Sequence, residues 1–89
     1  MKYVVVWDTD AANDVDTSWE RATDVERERI VAALVSLQEM LASSGLGAGE
    51  SREFVTERVA FVPPITVFFR IDRMKSLVRV FAAVVWRPR

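Results

Sequence analysis

The sequence predicts an α+β domain of order β-α-α-β-β-β, a helical hairpin packed on one face of a small, mainly antiparallel sheet. Three observations carry this. The stretch from Ile65 to Trp86 alternates with a two-residue period in two runs, separated by a polar break. Residues 23–43 place apolar side chains at helical spacing behind a capping box. A short apolar run, Lys2 to Trp7, stands before both helices.

That first run, KYVVVW, reads as a strand with both faces apolar, which suits an interior position; by its place in the order it pairs with the last strand or lies at a sheet edge. Asp8-Thr9-Asp10 stops it, and Thr9 or Asp10 offers an oxygen to the orphan amides of a first helix over Ala11–Ala22. Ala12, Val15, Trp19 and Ala22 form its apolar stripe, with Trp19 as the large anchor. Thr23-Asp24-Val25-Glu26 is a capping box for a second helix, Val25 to Ser43. Its stripe is Ile30, Leu34, Leu37 and Leu41, broadened by Val31 and Met40, and Gly45 suits the residue after its end. The short joint between the helices implies an antiparallel pair.

Leu46 to Glu50 reads as a loop, Ser51 to Glu57 as an irregular edge strand and Val59 to Val62 as a short strand. Pro63-Pro64 cannot donate to a ladder, so a tight turn or bulged corner leads into Ile65. Ile65, Val67, Phe69 and Ile71 then share one face, with Thr66, Phe68 and Arg70 on the other. Asp72 to Ser76 suits a hairpin loop. In the last strand Val78, Val80, Ala82, Val84 and Trp86 share a face opposite Leu77, Arg79, Phe81, Ala83 and Val85. Because both of those faces are mostly apolar, this strand is expected at the centre of the sheet. Leu34 and Phe69 are the expected core representatives of helix and strand.

With 89 residues the chain holds one domain, 1–89, and 51% apolar residues suffice for one core. The absence of cysteine excludes a disulfide framework and thiolate metal sites, and the absence of histidine removes the commonest general base and metal ligand together. Lys2 is followed by only five apolar residues before Asp8, and no apolar run approaches the roughly 20 residues that span a bilayer, so a cytoplasmic protein is expected. Residues 1–49 carry four Lys/Arg against nine Asp/Glu, and residues 50–89 carry eight against four. The strand half is therefore basic and suits a phosphate backbone or an acidic protein segment.

Asp8, Asp10, Asp14 and Asp16 match no calcium loop, and read as acids complementing a helix N-terminus. No metal and no cofactor is expected. Among the basic residues, Arg52, Arg58, Arg79, Arg87 and Arg89 are candidate binding residues together with Trp86. Alternation places Arg79 away from Trp86, whereas Arg87 and Arg89 flank it. Any catalysis would rest on arginine electrostatics, with Arg58 and Arg87 the candidates.

The order of elements, with Gly49-Glu50-Ser51-Arg52, Arg58, Pro63-Pro64 and the two closing strands, resembles the RelE/ParE family of bacterial type II toxins over nearly the whole chain. The resemblance implies a toxin neutralised by a cognate antitoxin, as in plasmid stabilization modules. RNA-cleaving members carry a basic surface, a strand arginine and a tyrosine or histidine near the C-terminus. Here Thr66 stands at the strand position, and no tyrosine or histidine follows Arg87. Members of the ParE-like branch, without that set, bind DNA gyrase. Three readings follow: a toxin that binds a protein target, a ribosome-dependent mRNA-cleaving toxin, and a non-toxic module that forms complexes or homo-oligomers.

Overall fold

The computed structural model describes residues 3–43 and 55–86. The elements are β1 (Val4–Trp7), α1 (Thr9–Arg21), α2 (Asp24–Ala42), β2 (Val55–Val62), β3 (Ile65–Asp72) and β4 (Leu77–Val85). Strand order is β1-β4-β3-β2, with β1 parallel to β4 and the other pairings antiparallel. Both helices cover one face of this sheet and bury Ala11, Ile30, Ala33, Leu37 and Leu41 against Ile65, Val67, Phe69, Ile71, Val78 and Val80. This is the expected α+β order, with the last strand interior.

The capping box forms as read. Thr23 Oγ1 accepts from the Glu26 amide at 3.2 Å, and Glu26 Oε1 accepts from the Thr23 amide at 2.9 Å. These reciprocal bonds satisfy two backbone donors at the start of α2. At its other end Ser43 Oγ donates to the carbonyls of Glu39 and Met40, each at 3.1 Å; Gly45 lies outside the described residues. The buried stripe of α2 is Ile30, Ala33, Leu37 and Leu41, with Leu34 half-buried beside it. Val31 and Met40 are exposed, so they do not broaden it. Only residues within one arc of the helix reach the sheet.

α1 departs further from expectation. Its N-cap is Asp8, neither Thr9 nor Asp10, and the Asp8 side chain makes no cap bond. The buried positions are Ala11 and Val15, with Ala22 packing beside them, a stripe one residue out of step with Ala12 and Trp19. Trp19 is a surface residue. Its ring stacks under the Arg27 guanidinium at 5.4 Å, and Arg27 Nε donates to the Trp19 carbonyl at 3.0 Å. An alanine at position 11 lets the helix approach β4 closely, which rotates the bulky indole away from the interface.

The strands differ from the reading in three places. β1 is an edge strand beside β4, as the chain order implies, and its all-apolar sequence is not buried on both faces: Val5 and Trp7 pack on the core while Val4 and Val6 are exposed. The two expected pieces before Pro63 are one strand, β2, paired along its length with β3; residues 51–54 lie outside the described set. Pro63 and Pro64, joined by a cis peptide, make the tight turn between β2 and β3.

The third difference is a bulge in β4. Phe68 pairs with Ala82 but Phe69 pairs with Val80, leaving Phe81 as the extra residue. A bulge of this kind puts two residues opposite one and reverses the side-chain alternation beyond it. Val78 and Val80 face the helices as expected, but after the bulge Ala83 is the core residue, 4% exposed, and Val84 turns outward at 41%. Trp86 follows Val84 to the outer side.

Candidate functional site

The helices lie on one face of the sheet, and the register defines the residues of the other. One cross-strand row is Phe61, Thr66 and Val84; the next is Val59, Phe68 and Ala82; a third is Glu57, Arg70, Arg79 and Val6. In each row opposite residues share a face, so these side chains form one surface.

Its upper part is apolar. Val59, Phe61 and Trp86 are 60%, 59% and 58% exposed, and Phe68 and Val84 join them. Trp86 is fixed in place: its backbone N–H donates to the Pro64 carbonyl at 2.7 Å, and its indole Nε1 donates to Thr66 Oγ1 at 2.8 Å. The ring is therefore anchored at the Phe61–Thr66–Val84 row with its one polar atom satisfied, leaving a hydrophobic surface for contact.

Its lower part is charged. Arg70 and Arg79 are directly opposite on β3 and β4. Arg70 Nε donates to Glu57 Oε1 at 2.8 Å, and its guanidinium lies 5.3 Å from the centre of the Phe81 ring. Arg79 Nε donates to Asp8 Oδ1. The Asp8 carboxylate thus leaves the helix it should cap to partner a strand arginine. Two guanidinium groups this close repel, and each carboxylate lowers that repulsion. Arg70, Asp72, Lys75, Leu77 and Arg79 line a shallow basin at this end, closed by the β3–β4 turn. There Asp72 Oδ1 accepts from the Lys75 amide at 3.2 Å, and Ser76 takes a positive φ of 50°. The Arg70–Glu57 pair is exposed on both sides and contributes no more than about 1 kcal/mol. In the Arg79–Asp8 pair the arginine is 60% exposed and the carboxylate half-buried at 30%, so solvent still screens it and allows exchange.

The candidates from sequence divide as follows. Arg79 and Trp86 share this face, contrary to the alternation reading, because the bulge at Phe81 lies between them. Arg58 does not join them. It pairs with Phe69, which puts it on the helix side of β2, near Met40 and Ser43. Arg52, Arg87 and Arg89 lie outside the described residues. Sequence reasoning did not place Val59, Phe61, Phe68, Arg70 or Glu57 among the binding residues, and read Asp8 only as an acid at a helix start. A signal existed: two helices of this length cover one face of four strands, so Thr66, Phe68 and Arg70, already grouped by alternation, had no layer to cover them. Among the described residues no three His, Cys, Asp or Glu side chains converge as metal ligands, and no helix is long and apolar enough to cross a membrane.

No protein-family model matches the chain, and no curated protein matches it in sequence. Solved structures do match its fold. A chain of the toxin–antitoxin complex RelBE2 from Mycobacterium tuberculosis is 22% identical with a TM-score of 0.65, the match covering 97% of this chain and 100% of that one. A chain of the intact RelBE toxin–antitoxin complex of E. coli is 18% identical with a TM-score of 0.50, covering 97% and 99%. From its first strand to its last, this chain has the fold of the RelE-type toxins.

Proposed function

We propose that this protein is the toxin component of a type II toxin–antitoxin module, that it acts by binding a protein target, and that a cognate antitoxin neutralises it. The observation that carries the reading is the sheet face that no described element covers, on which Phe61, Phe68 and Trp86 stand beside the Arg70–Arg79 pair. Exposed aromatics and arginines are the residue types that dominate protein–protein hot spots. The fold supports the module type, since the two solved relatives are themselves toxin–antitoxin complexes.

Messenger RNA cleavage is the second reading, favoured by the two arginines and Lys75 around one basin. It meets a chemical obstacle. RNA cleavage benefits from a group that takes or gives a proton near neutral pH. The chain has no histidine, and its one tyrosine, Tyr3, packs toward the core on the other side of the sheet. Arginine stabilises charge and does not exchange protons in this range. Protein binding asks for neither group.

Inducible expression in bacteria tests the proposal, scored for growth, translation and DNA supercoiling, with and without the product of an adjoining small reading frame. The expected result is growth arrest with messenger RNA intact, relieved by co-expression. A change in supercoiling would point to DNA gyrase, and a block in translation without cleavage to the ribosome. Cleaved messenger RNA would replace this reading with the second. Normal growth with folded, abundant protein would leave a complex-forming module without toxicity.

A further inference from the structure

Asp8 caps α1 by position but gives its carboxylate to Arg79, and Glu57 reaches across from β2 to Arg70. Two separate elements thus each supply one carboxylate to one guanidinium of a cross-strand pair. Both arginines are more than half exposed in these contacts, 54% and 60%. We propose that Arg70 and Arg79 form a receiving site for the carboxylates of an acidic segment of a partner protein, and that Glu57 and Asp8 are built-in competitors which hold the site until that segment displaces them. The inference rests on reading the open face as a protein-docking surface and adds how its charged half is regulated.

Three features favour an acidic polypeptide as occupant. The groups now seated on the arginines are carboxylates, so the site is shown to accept that geometry. The face continues directly into Val59, Phe61, Phe68 and Trp86, which suits a segment carrying apolar side chains about two to four residues along an extended chain, at roughly 3.3 Å per residue, from its acids. The charged part of the face offers Arg70, Arg79 and Lys75 beside a larger apolar patch, few cations for a phosphate backbone, whose binding depends on many. Displacement also restores what the internal contact withholds. Once Arg79 is taken by a partner, the Asp8 side chain is at the N-cap position and can accept from the first-turn amides of α1. The competitor therefore has a second place to go, and that capping bond offsets part of the cost of its release from Arg79.

The competitors predict a tightening on removal. Three probes are titrated by fluorescence anisotropy against the full chain: a short labelled peptide alternating leucine and glutamate, its glutamine counterpart, and a single-stranded uridine oligonucleotide. The glutamate peptide should bind best. Asp8→Asn and Glu57→Gln should each tighten it about two- to fivefold, the range set by an exposed ion pair, and the gain should shrink at high salt. Asp16→Asn, on the exposed side of α1, makes the same charge change and should have little effect. Asparagine at position 8 still caps a helix, so folding is kept and circular dichroism checks it. The proposal is overturned if Asp8→Asn and Glu57→Gln bind no tighter than Asp16→Asn, if the glutamine peptide binds as well, or if the oligonucleotide is preferred. Toxicity is scored separately by growth, so a toxic chain that fails this titration keeps the toxin reading and loses only the competitors.

Discussion

Aspartate placed at position 83 or at position 84 should have very different consequences, and the difference tests the β4 bulge. Ala83 is 4% exposed in the core beside Val67 of β3, while Val84 is 41% exposed on the open face. Ala83→Asp puts a carboxylate into a site with no charged partner. Even after the group neutralises by taking a proton, burying an unmatched polar side chain and overfilling the space of a methyl group cost together on the order of 4–6 kcal/mol. A domain of this length has about 4–13 kcal/mol in total, so this variant should lose from about a third to all of its stability. Val84→Asp loses roughly 60% of a buried valine's contribution, about 1–2 kcal/mol, and up to about 1 kcal/mol of strand preference. It should fold. Urea unfolding followed by tryptophan fluorescence and far-ultraviolet circular dichroism measures both. At about 1 kcal/mol per molar urea, the Val84→Asp midpoint should fall by about 1–3 M and the Ala83→Asp midpoint by about 4–6 M, or to the loss of a native baseline. Unbroken alternation predicts the reverse order, because it puts Val84 inside and Ala83 outside. A folded Ala83→Asp with an unfolded Val84→Asp would refute the bulge and with it the placing of Trp86 on the open face.

Thr23→Ala removes one half of the capping box and should destabilise the domain by about 1 kcal/mol, read as a lower melting temperature with an unchanged fold. Trp86→Ala should weaken a bound antitoxin by about 2 kcal/mol or more by calorimetry while moving the urea midpoint far less than Phe69→Ala, since Trp86 is 58% exposed and Phe69 is in the core. Arg79→Gln should change stability by about 1 kcal/mol or less, with the change shrinking at high salt, because Arg79 is 60% exposed and only Asp8 is half-buried.

Much of this protein was legible from sequence because the deciding interactions are local. The capping box needs only Thr23 and Glu26, three residues apart, and it sets the start of α2. The turn at Pro63-Pro64 and the hairpin around Asp72–Ser76 are likewise settled by backbone chemistry within a few residues. The β-α-α-β-β-β order follows from two periodicities and their punctuation. What only the tertiary structure decided depends on neighbours distant in sequence. Which arc of α1 is buried is set by how closely Ala11 approaches β4, and so Trp19 lies outside. A single extra residue, Phe81, is invisible in a run where both faces are apolar, because alternation carries no information when every position is hydrophobic. Yet that residue moves Val84 and Trp86 across the sheet and puts Trp86 on the same face as Arg79. The Asp8–Arg79 and Glu57–Arg70 pairs, 71 and 13 residues apart, exist only once four strands are in register, and with them the charged half of the open face.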